Sequence, residues 1–240
     1  MPDQTPNQLL LNFPSHPDFN FSNFVVSIGS RLAFDAAMNF CSENHTLYQS
    51  LFIFGQKNLG KTHLLLSIGN HVAEKGAKAL YIQGTDFLNK VGTSTQTQLL
   101  MDVDYFLLDD IEELTASKLA QEKLYHIYNT IIEKGGKVAF TSRSSPEKIE
   151  NAESYLTSRF QSGMLTEIKP IDDDTTAKII KKLALDINLI LPENIIHFLL
   201  SRIPRDFSSI KDSVSALNRE SYLQKKKVTL SLVKKTLKIF

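Results

Sequence analysis

A single cysteine, Cys41, among 240 residues rules out an internal disulfide framework and fits a reducing compartment such as the cytoplasm. No apolar run is long enough to cross a bilayer as a helix. The opening residues MPDQTPNQLL lack the basic n-region of a secretory signal. Neither sign of charge is in excess: 27 Lys and Arg face 26 Asp and Glu, a formal charge of +1. That balance argues against a chain-wide, sequence-independent grip on nucleic acid, while leaving room for a local patch. His45, His63, His71, His126 and His197 form no metal-ligand grouping with cysteine, and surface or core positions account for them. What remains is ordinary globular composition, 42% hydrophobic and 22% charged, in a chain long enough for one or two domains.

Residues 1–19 are polar, proline-rich and without period, and they read as an arm. A helical pattern begins near Ser30. Short apolar runs at 51–54, 79–83, 105–108, 138–141 and 165–168 then alternate with helical stretches at 61–75 and 118–133. Each of those helices ends at glycine, Gly76 or Gly135-Gly136. Alternation of this kind predicts an α/β domain over 20–170 with a parallel sheet covered on both faces. After Pro170 the texture turns helical. Helices are expected from Asp172, from Leu191-Pro192, over 207–223 and over 231–239, with a short strand at 227–230 the one exception. Residues 171–240 therefore read as a small helical domain.

The chemistry begins at Gly55-Gln-Lys-Asn-Leu-Gly-Lys-Thr62, which fits G-x-x-x-x-G-K-[ST] between a strand and a helix. Such a loop wraps an anion with backbone N–H groups at a helix N-terminus. Gly55 and Gly60 allow close approach, Lys61 reaches phosphate oxygens, and the Thr62 hydroxyl suits Mg²⁺. The matching acid is expected at the tip of a neighbouring strand. Asp109 and Asp110 end the run from Asp104, giving Asp109 the metal role and Asp110 the role of orienting or deprotonating water. Glu112 is a rival for the second role. Tyr125, Tyr128 and Ile132, at helical spacing, read as core. Lys225–Lys227 with Lys234, Lys235 and Lys238 make a basic end, read as a solvated helix face.

Several stretches, taken in order, resemble the AAA+ ATPase domain of the bacterial replication initiator DnaA: Phe21 to Val26, Arg31-Leu-Ala33, Leu51 to Gly55, Leu59 to Leu65, Leu108-Asp-Asp-Ile111, Thr141-Ser142, Ser158-Arg-Phe160 and Ala216-Leu-Asn-Arg219. The resemblance implies five parallel strands in the AAA+ arrangement followed by a helical lid. It implies ADP or ATP with Mg²⁺ at Gly55, Asn58, Gly60, Lys61, Thr62 and His63, with Phe24, Val25 and Val26 beside the nucleotide. Thr141 and Ser142 fall at its sensor-one position. Arg159 matches an arginine finger, which serves a nucleotide held by a neighbouring subunit; a structural salt bridge is the plain alternative.

The chain stops at Phe240, where DnaA continues into a DNA-binding domain. It resembles instead the short Hda branch of the family, which switches off initiation. Gln8-Leu-Leu-Leu-Asn-Phe13 is similar to the peptide by which that branch holds the sliding clamp, with Gln8, Leu11 and Phe13 as contacts. A tail docked on its own domain is the alternative. The resemblance implies DnaA and the clamp as partners, DNA reached mainly through the loaded clamp, no membrane, and room for a homo-oligomer. Two positions depart. Arg143 stands where the family usually has aspartate. Lys211 stands at the lid's sensor-two position, with Arg205 as an alternative. Both departures imply weak turnover by this chain and an adaptor acting on DnaA. An autonomous ATPase of the helicase-loader kind, acting on a replication protein or single-stranded DNA, is the competing reading.

Overall fold

The computed structural model describes residues 19–42, 48–90 and 100–239, which form two compact units. Gln8, Leu11 and Phe13 lie outside the described residues. The first unit comprises Ser30–Ile168 with the segment leading to Val26. Its strands are β1 (Ser50–Phe54), β2 (Ala79–Gln83), β3 (Tyr105–Asp109), β4 (Lys137–Ser142) and β5 (Met164–Glu167). They form a five-stranded parallel sheet in the order β2-β3-β4-β1-β5. Helices α1 (Arg31–Phe40), α2 (Lys61–Glu74), α3 (Phe87–Lys90), α4 (Lys118–Glu133) and α5 (Ser154–Gln161) connect them.

The strands are apolar on both faces because both faces are covered. Phe52, Leu80, Ile82, Phe106, Leu108 and Phe140 bury against α4 and α5. Their neighbours in sequence, Leu51, Ile53, Tyr81, Leu107 and Ala139, bury against α1 and α2. Gly76 and Gly135 follow α2 and α4 at φ 86 and 83, the left-handed stop that glycine accepts without strain. The Ser-Arg-Phe motif lies on a helix of its own, α5, anchored by Phe160 against Phe140 at 4.9 Å and Phe52 at 5.4 Å between ring centres.

The second unit comprises Lys169–Phe240 with Ser27–Gly29. It holds α6 (Asp173–Asp186), α7 (Glu193–Leu200), α8 (Phe207–Gln224) and α9 (Leu230–Leu237). Side chains cap three of these: Asp172 accepts from Thr175 N at 2.8 Å, Asp206 from Ser209 N at 2.9 Å, and Thr229 from Leu232 N at 3.3 Å. The expected strand at 227–230 does not form. Thr229 is the N-cap of α9 and Leu230 its first residue, so the alternation of Val228 and Leu230 leads into a helix, where Val228, Leu232 and Val233 are all buried.

Candidate functional site

Parallel strands end together, so one edge of the sheet gathers the tips of β1, β3 and β4. Phe54 lies in register with Ser142, and the Gly55 N–H donates to the Ser142 carbonyl at 3.1 Å. The loop then runs through Asn58 at φ 62 and Gly60 at φ 97, and α2 starts at Lys61. A Cβ on Gly55 would lie 2.3 Å from the Ile168 carbonyl oxygen, and one on Gly60 would lie 2.8 Å from the Phe24 ring. No side chain caps α2, so its first N–H groups are open to an anion. Lys61 is buried, and its ammonium donates to the Gly55 and Gln56 carbonyls at 2.8 Å each.

Asp109, 1% exposed, is the centre of a hydroxyl cluster. Thr62 donates to its Oδ2 at 2.7 Å and Tyr81 to the same oxygen at 2.9 Å, while Thr141 donates to Oδ1. Thr141 also accepts from the Asp110 N–H at 2.9 Å, so one buried hydroxyl aligns both acids. Hard oxygens from Thr62 and Asp109 side by side fit Mg²⁺, and the loop fits phosphate.

Asp110 is half-buried in the left-handed region at φ 49. Burial raises its carboxyl above the usual range, reinforced by Asp109 and Glu112 and opposed by Lys61 and Arg143. Burial likewise lowers the Lys61 ammonium, against the pull of Asp110, Glu112 and Asp109. The Tyr81 phenol is pushed up by burial and by Asp109.

Arg143 is paired with two carboxylates. Its Nε and backbone N–H both meet Glu112 Oε1, at 3.2 and 3.1 Å, and its terminal nitrogen meets Glu113 at 2.9 Å. Glu112 Oε2 is buried with no hydrogen-bond partner among the described residues. Ser142, also buried, accepts from the Ser144 N–H at 3.2 Å, which shapes the turn after β4.

His63 faces the N-terminal segment. Its Nε2 lies 3.0 Å from the Asn20 carbonyl, and its ring meets the edges of Phe19 and Phe24. Phe24 in turn stacks on Phe34. His63 thus fixes the segment that carries Phe24, Val25 and Val26, the last two half-buried. Tyr81 was invisible in the sequence pattern, because only the pairing of β2 with β3 brings it to Asp109.

Arg159 lies on α5 with its guanidinium 5.5 Å from the centre of the Tyr125 ring. Tyr125 packs against the core from its margin, partly buried, and Arg159 holds its hydroxyl below the usual range. Among the described residues no carboxylate pairs with Arg159. In the second unit Arg205 pairs with Asp173 at 2.7 Å, and Lys211 is exposed on α8.

Residues 15–167 match the family described as the bacterial DnaA ATPase domain, and residues 172–237 match the Hda lid domain. The chromosomal replication initiator protein DnaA of Wolinella succinogenes is 31% identical over 230 residues, 93% of this chain and 53% of that protein. The Thermotoga maritima initiator is 31% identical over 214 residues, 85% of this chain and 48% of that protein. The chain thus spans about half the length of the curated relatives it matches. Domain III of Thermotoga maritima DnaA superposes with a TM-score of 0.83 at 30% identity, covering 95% of this chain and 98% of that one. A DnaA bound to AMPPCP and single-stranded DNA gives 0.80 at 30% identity, covering 93% and 69%. Thermotoga maritima RuvB, at 18% identity and 0.69, shares the fold.

Proposed function

The chain belongs to the family of the bacterial DnaA ATPase domain, and from that premise we propose that it is a regulatory adaptor of replication initiation. It binds ADP or ATP with Mg²⁺, docks on the sliding clamp through Gln8, Leu11 and Phe13, and completes the ATPase site of a bound DnaA with Arg159. The lid's match to the Hda lid domain supports the regulatory branch. The protein acts in the cytoplasm at clamp-loaded DNA.

The observation that carries this reading is the placement of Arg159. Its guanidinium rests on an aromatic face, while the cation balancing Asp110 and Glu112 beside Lys61 is Arg143. An arginine outside its own chain's carboxylate cluster is suited to a neighbour's nucleotide. There its delocalised charge stabilises the transferring phosphoryl group, an effect of order 10³–10⁵ in rate for arginine fingers.

At the home site, Gly55, Asn58 and Gly60 shape the loop, and Lys61 and the α2 N–H groups hold phosphate oxygens. Thr62 and Asp109 hold the metal, which when bound neutralises those oxygens. Thr141 keeps Asp109 and Asp110 aligned, and Ser142 shapes the adjoining turn. Phe24, Val25 and Val26 flank the nucleotide, positioned by His63. Lys211 serves as the lid's cation, since Arg205 is engaged by Asp173. Arg143, forked between Glu112 and Glu113, closes off the sensor-one position. Nucleotide here is a handle that keeps the shape competent.

The autonomous ATPase reading draws on Asp110, whose raised carboxyl beside Asp109 suits a base. One experiment separates the two. DnaA carrying radiolabelled ATP is mixed with clamp-loaded DNA and wild type, Arg159→Ala, or a chain lacking residues 1–13. The adaptor predicts faster conversion to ADP with wild type and none with either variant, while both still bind nucleotide. No acceleration by wild type overturns it, and turnover by the isolated chain that Asp110→Asn abolishes would install the ATPase in its place.

A further inference from the structure

We propose that the surface formed by residues 225–238 of the second unit binds the phosphate backbone of duplex DNA directly. The chain's near-neutral total conceals a division. Residues 169–240 carry fourteen Lys and Arg against eight Asp and Glu, a formal charge of +6, which leaves −5 for the rest. Six of those cations, Lys225, Lys226, Lys227, Lys234, Lys235 and Lys238, fall within one short stretch, and all six are exposed. Elsewhere in this unit, cations next to acids are neutralised by them: Lys181 meets Glu193 and Arg205 meets Asp173, each at 2.7 Å. Among the described residues none of the six makes an ion pair.

The backbone keeps these charges where another residue would be more comfortable. Lys225 and Lys238 end α8 and α9 in the left-handed region, at φ 51 and 54, positions that favour glycine. Lysine at a helix C-terminus also complements the helix dipole, which accounts for Lys225, Lys238 and the last-turn pair Lys234 and Lys235. It does not account for Lys226 and Lys227, in the link between α8 and α9. Lys234 is further held over the Phe198 ring, 5.9 Å from its centre, with Arg202 at 6.0 Å from the same ring. Phe198 therefore adds a seventh cation to the same face.

The shape suits a phosphate array better than a protein. Protein interfaces are centred on apolar or aromatic anchors and are depleted in lysine. Here Val228, Leu232 and Val233 turn inwards, and the outward side carries the six lysines with Thr229 and Ser231, with Leu230 40% exposed among them. A short link spanning at most about 3.5 Å per residue and a helix rising about 1.5 Å per residue keep all six lysines within about 30 Å. That is close to the length of one duplex turn, along which phosphates recur continuously. Lysine, a flexible point charge, grips such an array without reading sequence. The proposal requires neither the clamp nor DnaA, so its failure would leave the adaptor reading standing.

The test is fluorescence anisotropy of the full chain on a short labelled duplex of arbitrary sequence, titrated across salt. Lys225, Lys226 and Lys227 are changed together to Ala, then Lys234, Lys235 and Lys238 together. A control changes Lys178 and Lys182 on α6. The expected result is duplex binding with a log–log salt slope near about −5, falling to about −3 in either triple variant. Affinity should drop at least about tenfold in each, with the control unchanged and thermal melts preserved. Three results overturn the proposal: no duplex binding at low salt, binding untouched by both triple variants, or equal competition by polyglutamate, which would make the surface a general acid-binder. A fourth is preferential capture of single strand, lost on Tyr222→Ala, since Tyr222 is 82% exposed just before the lysines.

Discussion

Asp110 sits in the left-handed region, half-buried, with Asp109 and Glu112 beside it. Its folded carboxyl is raised, so the native state binds a proton more readily than the unfolded chain. The charged form is therefore a burden that grows as pH rises through the carboxylate range and stays at neutrality. Asp110→Asn should raise the Tm at pH 7 by roughly a few degrees, and the gain should vanish near pH 3, where the native carboxyl is neutral. Asparagine tolerates the same backbone angles, so the comparison isolates the charge. A Tm that falls at pH 7 would contradict the electrostatics. Thr141 carries the opposite expectation. Thr141→Val keeps the shape but removes a donor to Asp109 and the acceptor of the Asp110 N–H. Loss of those buried bonds should cost about 1–3 kcal/mol in denaturant unfolding and weaken Mg²⁺-dependent nucleotide binding at least tenfold.

Among elements, α5 depends on α4 for its position. Gln121, 1% exposed, donates to the carbonyls of Thr115 at 2.7 Å and Asn151 at 2.9 Å and accepts from the Glu153 N–H at 2.8 Å. Gln121→Leu strands those groups and should destabilise by about 2–4 kcal/mol, read by urea unfolding. It should also depress stimulation of DnaA while leaving nucleotide binding intact, because it displaces Arg159's helix and not the phosphate loop. The phosphate loop, the acids at 109 and 110, and all five strands were legible in the sequence. Local spacing and apolar runs encode them, and each strand end fell within a residue of its place. Tyr81 and Gln121 were not legible, because their partners lie on other elements and become neighbours only once sheet order and loop packing are set. Tyr125 was legible only in part: it packs against the core as its spacing suggested, but that spacing does not show that α5 places Arg159 over it. The strand expected at 227–230 rested on alternation alone, which a helix cap at Thr229 mimics.

At the scale of the whole molecule, two units of opposite formal charge are joined in one chain, and the phosphate loop belongs to the acidic one. Deleting residues 1–13 should abolish clamp capture in surface plasmon resonance and leave the affinity for ADP unchanged. Loss of both would mean that the segment supports the fold instead. The central claim is that Arg159 works on a partner's nucleotide. It is tested most directly by single-turnover decay of labelled ATP bound to DnaA, with this chain holding unlabelled ADP, comparing wild type with Arg159→Lys. The account predicts that lysine, which keeps the charge and loses the planar fork, slows decay at least about a hundredfold towards the rate of DnaA alone. Decay as fast with lysine, or unaffected by the chain altogether, would contradict it.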